Sequence, residues 1–494
     1  MWPLVALALL KVALHLLLAE RYGYSAAELY VLACSERLDW GYLDQPPLIA
    51  YLALAARIVG GSALVAIRIG PALAGGALVL VTGLLAGRLG AGRFAQLLAG
   101  LCVAFSPAFL AAHGVLGAAA YAPLLWTLFA YVLVGRESGA TGSSATVVGL
   151  LVGAGILAAP EMAVYAAGVP VALVLVGDAP RRRSWLSAVV VVLMLAPACM
   201  WQVRHDWPIV TALTSGAPGD PLAQFLAMVA ALQVATAPLW IGGALALLLA
   251  PRLGDARALG IGLIPVVAAA VHWNWEPRAL LPLTPVLFVA GAMLVEALSR
   301  GRALVWLRPA SVAAVLVAGV VSAPLVLPIL APESVPAYAS RAAVFVRWPV
   351  SAPAPAGLPE PLAQMFGWEQ RVAAARRAFD TVDRDERVHT VVWARSRWDA
   401  AAVDRLGERY RLPRAISGDG NYRLWGPGDR AGSTVIVIGF RPEELQPWFR
   451  TVRTTEVVAC KHCPAASRRV AVHVCEGPRH AMSDFWAKAI VAGP

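Results

Sequence analysis

Eleven long apolar stretches separated by short connections occupy the first two thirds of the chain, and they constrain its fold more than any other feature. A membrane-crossing helix takes about 20 mostly apolar residues. The stretches fall at 2–19, 63–87, 94–112, 117–135, 146–159, 162–177, 184–202, 222–250, 258–272, 279–298 and 309–330. A shorter apolar piece, 48–60, reads as lying along the membrane interface and leading into the second span. With 59% hydrophobic and 14% charged residues, the composition fits a multi-span membrane protein and no ordinary soluble enzyme. The first stretch has a signal peptide's length. It lacks a basic leader and is interrupted by Lys11 and His15, so it reads as a retained span.

The formal charge of +11 is almost all arginine, because Lys11, Lys461 and Lys488 are the only lysines. The arginines sit in short loops between apolar runs, which argues for membrane topology and against nucleic acid. With the N-terminus inside, the cytoplasmic loops carry Arg88, Arg93, Arg136, Arg181, Arg182, Arg183, Arg252, Arg257, Arg300, Arg302 and Arg308. The opposite loops carry only Arg21, Arg37, Arg204 and Arg278, and they hold the acids Glu20, Glu28, Glu36, Asp39, Asp44, Glu161, Asp206, Asp220 and Glu276. That asymmetry is the positive-inside signal, and it puts any chemistry on the extracytoplasmic side.

An odd number of spans leaves the remainder outside as well. The expected division is a transmembrane domain over 1–330, a proline-rich linker over 331–358 and a soluble α/β domain over 359–494. Helical periodicity covers 360–380 and 398–410. Residues 389–394, 421–426, 433–440 and 470–475 read as strands. Cys460, Cys463 and Cys475 lie together there, and with His462 their spacing is compatible with zinc. Outside the cytoplasm a disulfide is the favoured state, expected between Cys475 and either Cys460 or Cys463.

The loop between the first two long stretches, Tyr24 to Leu48, is rich in chemistry. It packs acids, aromatics and a Pro46-Pro47 corner into 25 residues. On residue type alone, Glu28 reads as an interfacial carboxylate that caps or anchors a surface helix, and Asp44 equally as a turn residue bonding its own backbone. Arg204, His205, Asp206 and Trp207 likewise suit an interface anchor with a local ion pair.

The segment ELYVLACSERLDWGYLDQPPLIAYL resembles the first outer loop of bacterial membrane glycosyltransferases related to the protein O-mannosyltransferases and lipid A aminoarabinose transferases. FSPAFLAAHG, PLLWTLFAYVLV, WQVRHDWP and LLPLTPVLFVAGA extend the resemblance through the apolar part. MFGWEQ, AISGDGNYRLWG and the three-cysteine segment carry it into the tail. The resemblance implies a GT-C fold: an α-helical polytopic membrane protein of about eleven spans with a C-terminal extracytoplasmic α/β domain, in the bacterial cytoplasmic membrane. It implies transfer of a sugar from a polyprenyl-phosphate donor to a lipid, glycan or protein acceptor.

Such a reaction needs a carboxylate to deprotonate the acceptor hydroxyl, and cations or hydrogen-bond donors to meet the departing phosphate. Glu28 is the candidate base. Tyr30, Asp44, Gln45, Arg204, His205 and Arg278 are candidate donor contacts, arginine being suited to phosphate oxygens. Asp44 with His205 or Asp206 is compatible with a divalent metal, whose identity the sequence leaves unknown. The chain departs from the family pattern at four places. The usual Asp-Glu pair reads Ala27-Glu28, and the next outer loop reads Gly117-Ala118-Ala119-Ala120-Tyr121-Ala122. A lysine is missing near Leu157-Ala158-Ala159-Pro160-Glu161, and Trp275-Glu276-Pro277-Arg278 replaces a Lys and Tyr pattern. These losses support an alternative, a catalytically silent homologue that binds lipid-linked sugar or assists a partner. A lipid or sugar transporter is the third reading, disfavoured by the few charges within the spans.

Overall fold

The structure is a computed structural model that describes residues 1–61, 63–134, 142–177, 185–250, 255–342, 357–428, 432–480 and 486. Arg136, Arg181, Arg182, Arg183 and Arg252, which carry part of the charge asymmetry, and residues 343–356 of the expected linker lie outside those residues. The chain forms two compact units: Met1–Arg21 with Asp39–Ala352, and Tyr22–Leu38 with Pro353–Pro494. The second unit is discontinuous. Residues 22–38, grouped by sequence with the 1–330 block, fold with the C-terminal part instead.

The helices, in chain order, are α1 (Trp2–Leu18), α2 (Ala26–Glu36), α3 (Leu48–Gly60), α4 (Leu64–Arg88), α5 (Arg93–Phe105), α6 (Pro107–His113), α7 (Ala118–Val134), α8 (Gly142–Ala158), α9 (Ala163–Leu175) and α10 (Trp185–Arg204). They continue as α11 (Pro208–Thr214), α12 (Pro221–Leu232), α13 (Ala237–Leu249), α14 (Asp255–His272), α15 (Thr284–Leu298), α16 (Leu307–Val326) and α17 (Val335–Ala342). All but α2 belong to the first unit. Among the described residues, four helices are long and apolar enough to cross a membrane, or six if two bent pairs each count as one span; further apolar helices are shorter.

Both bent pairs occur inside stretches that read as continuous in sequence. The α5–α6 pair turns by 63° at Ser106-Pro107, where proline lacks the N–H that would continue the helix. Carbonyls at such a break need other donors. Lys11 Nζ reaches the carbonyls of Ala104 (3.3 Å) and Phe109 (3.5 Å), and the His15 ring lies 3.0 Å from that of Leu110. Lys11 and His15 are buried, so the two polar residues of α1 brace the kink from within the bundle. The second pair, α12 with α13, turns by 98° at Gln233.

Helices α13 and α15 approach backbone to backbone. A Cβ on Gly243 would sit 2.0 Å from the Leu287 carbonyl, and one on Gly291 would sit 1.9 Å from that of Leu239. Only glycine allows this crossing, the usual means of packing helices where lipid removes the hydrophobic drive.

The second unit contains α2, α18 (Glu360–Ala363), α19 (Trp368–Asp380), α20 (Arg397–Leu406), α21 (Tyr422–Trp425) and α22 (Pro442–Leu445). Its strands are β1 (Val391–Ala394), β2 (Ala415–Ile416), β3 (Thr434–Ile438), β4 (Phe449–Ala459) and β5 (Arg469–Pro478), arranged β2-β1-β3-β5-β4. The first three run parallel; β5 is antiparallel to both neighbours. Val391, Trp393, Val435, Val437 and Phe449 pack on one face with Cys475. Arg371 of α19 and Asp399 of α20 form a buried ion pair at 2.8 Å.

Three expectations are corrected in this unit. Residues 421–426 form the short helix α21, closed by Gly426 at φ +82°, not a strand. The helix expected over 360–380 is two helices, divided at Gly367 (φ +89°). The disulfide joins Cys460 to Cys463, with Cα atoms 5.5 Å apart, and leaves Cys475 as a buried thiol. Cys475 stands in the sheet core opposite Val435 and Val452, whereas the other two share the β4–β5 connection. Neighbours on one turn meet the distance requirement of a bridge without backbone movement.

Candidate active-site elements

In the second unit, α2 is built around its first turn. Ser25 is extended and accepts the Glu28 N–H on its hydroxyl at 3.2 Å, while the Glu28 carboxylate accepts the Ser25 N–H at 2.9 Å. This reciprocal pair is a capping box, satisfying two helix-end donors at once. Glu28 is fully buried. The carboxylate proposed as a base is therefore engaged in holding the helix start. A base must lie within hydrogen-bond reach of the proton it takes, and burial with capping sets a demand on how an acceptor would arrive.

From Leu29 to Ser35 every residue of α2 is buried, so the helix is embedded rather than surface-lying. The Tyr30 hydroxyl accepts the Asn421 N–H at 2.9 Å, and its ring meets Trp398 edge-on at 5.4 Å. At the C-terminal end, the Arg37 guanidinium lies 4.4 Å from the Trp425 ring centroid and 3.7 Å from Asp404. Asp404 also receives the Tyr422 hydroxyl at 2.8 Å and the Ala415 N–H at 2.7 Å. Its burial pushes the carboxyl above the usual carboxylate range, although the Ala415 N–H, Arg37, Tyr422 and Arg414 pull the other way.

In the first unit, the loop continues at Asp39. The Trp201 indole N–H donates to Asp39 Oδ2 at 2.8 Å, and the His205 ring stacks on Trp201 with centroids 3.9 Å apart. A Cβ on Gly41 would stand 2.4 Å from the Trp201 ring, so only glycine lets the loop lie flat on the indole. His205 is thus joined to the first loop through Trp201. Sequence reading did not single out Asp39, Gly41 or Trp201 as site residues. The Trp-Gly-Tyr run and a tryptophan one turn before Arg204 were the available signals.

Asp44 is exposed and Gln45 half-buried, just before the buried Pro46-Pro47 corner. Arg204 ends α10 and is exposed. Asp206 (φ +60°) and Trp207 (φ +56°) both adopt the left-handed conformation, and the Trp207 N–H closes the turn on the Gln202 carbonyl at 2.8 Å. Two successive non-glycine residues there are a costly reversal, of the kind that concentrates at functional segments. Arg278 is exposed and paired with Glu276, an arrangement of small energetic value that leaves the guanidinium easily redirected. Among the described residues, no group of three or more His, Cys, Asp or Glu side chains comes together in a metal-binding arrangement.

No family model matches the sequence, and neither does any curated protein sequence. Solved structures do match. ArnT from Cupriavidus metallidurans bound to undecaprenyl phosphate superposes with a TM-score of 0.59 at 15% identity, over 96% of this chain and 98% of that one. The mycobacterial arabinofuranosyltransferase AftD gives 0.52 at 16% identity, over 96% of this chain and 40% of its own. The apo oligosaccharyltransferase from Archaeoglobus fulgidus gives 0.50 at 13% identity, over 83% and 64%. With its apolar helices and small C-terminal sheet, the chain has the GT-C fold of membrane glycosyltransferases.

Proposed function

We propose that the protein transfers a sugar from a polyprenyl-phosphate donor to a lipid, glycan or protein acceptor on the extracytoplasmic side of the bacterial cytoplasmic membrane. In this reading eleven spans leave the N-terminus cytoplasmic and the C-terminal unit outside. The acceptor hydroxyl oxygen attacks the anomeric carbon, the bond from that carbon to the phosphate oxygen breaks, and the electron pair leaves with the lipid phosphate. Glu28 takes the acceptor's proton. Arg204 and Arg278 meet phosphate oxygens, and Tyr30, Asp44, Gln45 and His205 bind sugar hydroxyls.

The observation supporting this most directly is the Asp39–Trp201–His205 stack, which joins the polar first loop to the helix end bearing Arg204. The GT-C fold and the undecaprenyl phosphate bound to ArnT support the donor class.

A second reading, a silent homologue, is favoured by one specific observation. Glu28 is spent on a capping box, and Ala27 stands where the resembled pattern carries aspartate. Glu28→Gln separates the readings, because glutamine preserves a capping box but takes no proton at neutral pH. Loss of the base costs about 10²–10⁴-fold in turnover of lipid-linked sugar by purified protein. Unchanged turnover in Glu28→Gln removes Glu28 from the mechanism. An inactive wild type that gains turnover through Ala27→Asp establishes the silent homologue.

A further inference from the structure

The chain enters the C-terminal unit at Tyr22 and leaves it at Asp39, so α2 is a visiting segment in a unit built mostly from residues more than three hundred positions later. Eleven residues make a helix too short to persist on its own in water. Its conformation comes from what grips it. Its grips from the unit include Asn421 on the Tyr30 hydroxyl, Trp398 on the Tyr30 ring, Trp425 and Asp404 on Arg37, and Arg414 on Glu36 at 3.1 Å. Tyr422 fixes Asp404 in turn, and its ring lies 5.6 Å from the Arg37 guanidinium. The turn Gly420-Asn421-Tyr422-Arg423-Leu424-Trp425 thereby forms a collar touching α2 at its middle and its end.

We propose that this collar, holding Tyr30, sets the position of the first-loop helix, making Arg37, Asp404 and Tyr422 positioning residues for the transfer reaction; this rests on the transferase reading above. Residues two apart on a helix project about 200° from one another, so holding Tyr30 fixes the direction in which Glu28 points. Arg37 adds a second anchor at the far end, which prevents the helix from rocking about the first. The C-terminal unit, in this account, contributes to turnover by carrying a piece of the first loop.

The test uses full-length protein with Cys199 replaced by serine, because that thiol is exposed. Cys34 is buried within α2, and Cys475 is buried in the sheet of the same unit. Maleimide labelling of Cys34 therefore reports release of the helix, and Cys475 reports unfolding of the unit. Arg37→Lys cannot reproduce a planar stack on Trp425. Asp404→Asn removes the ion pair, and Tyr30→Phe removes only the hydroxyl that accepts from Asn421.

Each variant is expected to raise Cys34 labelling about tenfold, in keeping with losing one such contact from a local opening equilibrium. Cys475 labelling stays at the wild-type rate and kcat falls, while KM for the lipid donor is unchanged in Arg37→Lys and Asp404→Asn. Cys34 remaining protected in all three variants overturns the collar. Faster Cys34 labelling with unaltered kcat overturns the positioning role, and both thiols reacting together in every variant overturns a helix held separately from the sheet. A wild type without turnover overturns the transferase reading alone, and the labelling ratio still decides whether the collar holds α2.

Discussion

Trp201 donates its indole N–H to Asp39 across 2.8 Å, while the same indole carries His205 on one face and Gly41 against its ring. Three functions of one side chain, bonding, stacking and steric fit, hold the returning half of the first loop against the end of α10. A hydrogen bond to a charged acceptor is worth about 1.5–3 kcal/mol when buried. Asp39 is exposed, so about 1 kcal/mol is the better expectation for losing it. Trp201→Phe should keep the His205 stack, release Asp39 and lower transfer by about fivefold.

Gly41→Ala attacks the same contact from the other side. The added methyl would overlap the indole at 2.4 Å, forcing either the loop or Trp201 to move. The expected loss of turnover is at least that of Trp201→Phe, with thermal stability of the helical bundle nearly unchanged because the loop, not the core, gives way. A Gly41→Ala enzyme with full activity would mean that loop and helix end need not stay joined.

Glu28 and Ser25 predict a stability difference independent of any reaction. Glu28→Ala removes one arm of the capping box and should destabilise the C-terminal unit by about 1 kcal/mol, read as a shifted denaturant midpoint. Glu28→Gln should leave the midpoint close to wild type, because its side-chain carbonyl still accepts from Ser25.

For the cysteines, alkylation of denatured but unreduced protein should mark Cys34, Cys102, Cys199 and Cys475 and spare Cys460 and Cys463. The bridge closes a loop of only a few residues, so its chain-entropy contribution is about 2 kcal/mol, at the low end for disulfides. Replacing both by serine should lower stability by no more than that. Gly367 sets a companion constraint, since any Cβ there would meet Cys463 Sγ at 2.4 Å from a backbone at φ +89°.

Much of this architecture is legible in the sequence because its signals are local. Apolar runs mark the helices of the bundle, and Val-Ile runs mark β1, β3 and β5. The edge strand β4, Phe449–Ala459, is hidden because six of its eleven residues are polar and only two are buried, which weakens alternation. Tyr422–Trp425 looks strand-like from its aromatics, yet flanking glycines confine it to one helical turn. The membership of α2 in the C-terminal unit has no local signal, since it depends on contacts nearly four hundred residues apart in sequence. The Ser25-to-Glu28 spacing is a readable capping signature, overshadowed by the reactivity of the same carboxylate.

Asp404 supplies the pH dependence. Burial raises its carboxyl above the ordinary range, with the Ala415 N–H, Arg37, Tyr422 and Arg414 offsetting part of that rise. A raised folded-state value means that folding favours the protonated form. The corresponding stability is fully present below the unfolded value of about 4 and is lost as pH rises through the folded value. The asparagine introduced by Asp404→Asn resembles the protonated acid in shape and does not titrate. The wild type should therefore match or exceed Asp404→Asn in denaturant midpoint near pH 4 and lose ground to it as pH rises from there towards neutrality. A midpoint difference that stays constant across that range would show that Arg37 fully compensates the buried charge, and that the Arg37–Asp404 pair is neutral to acid.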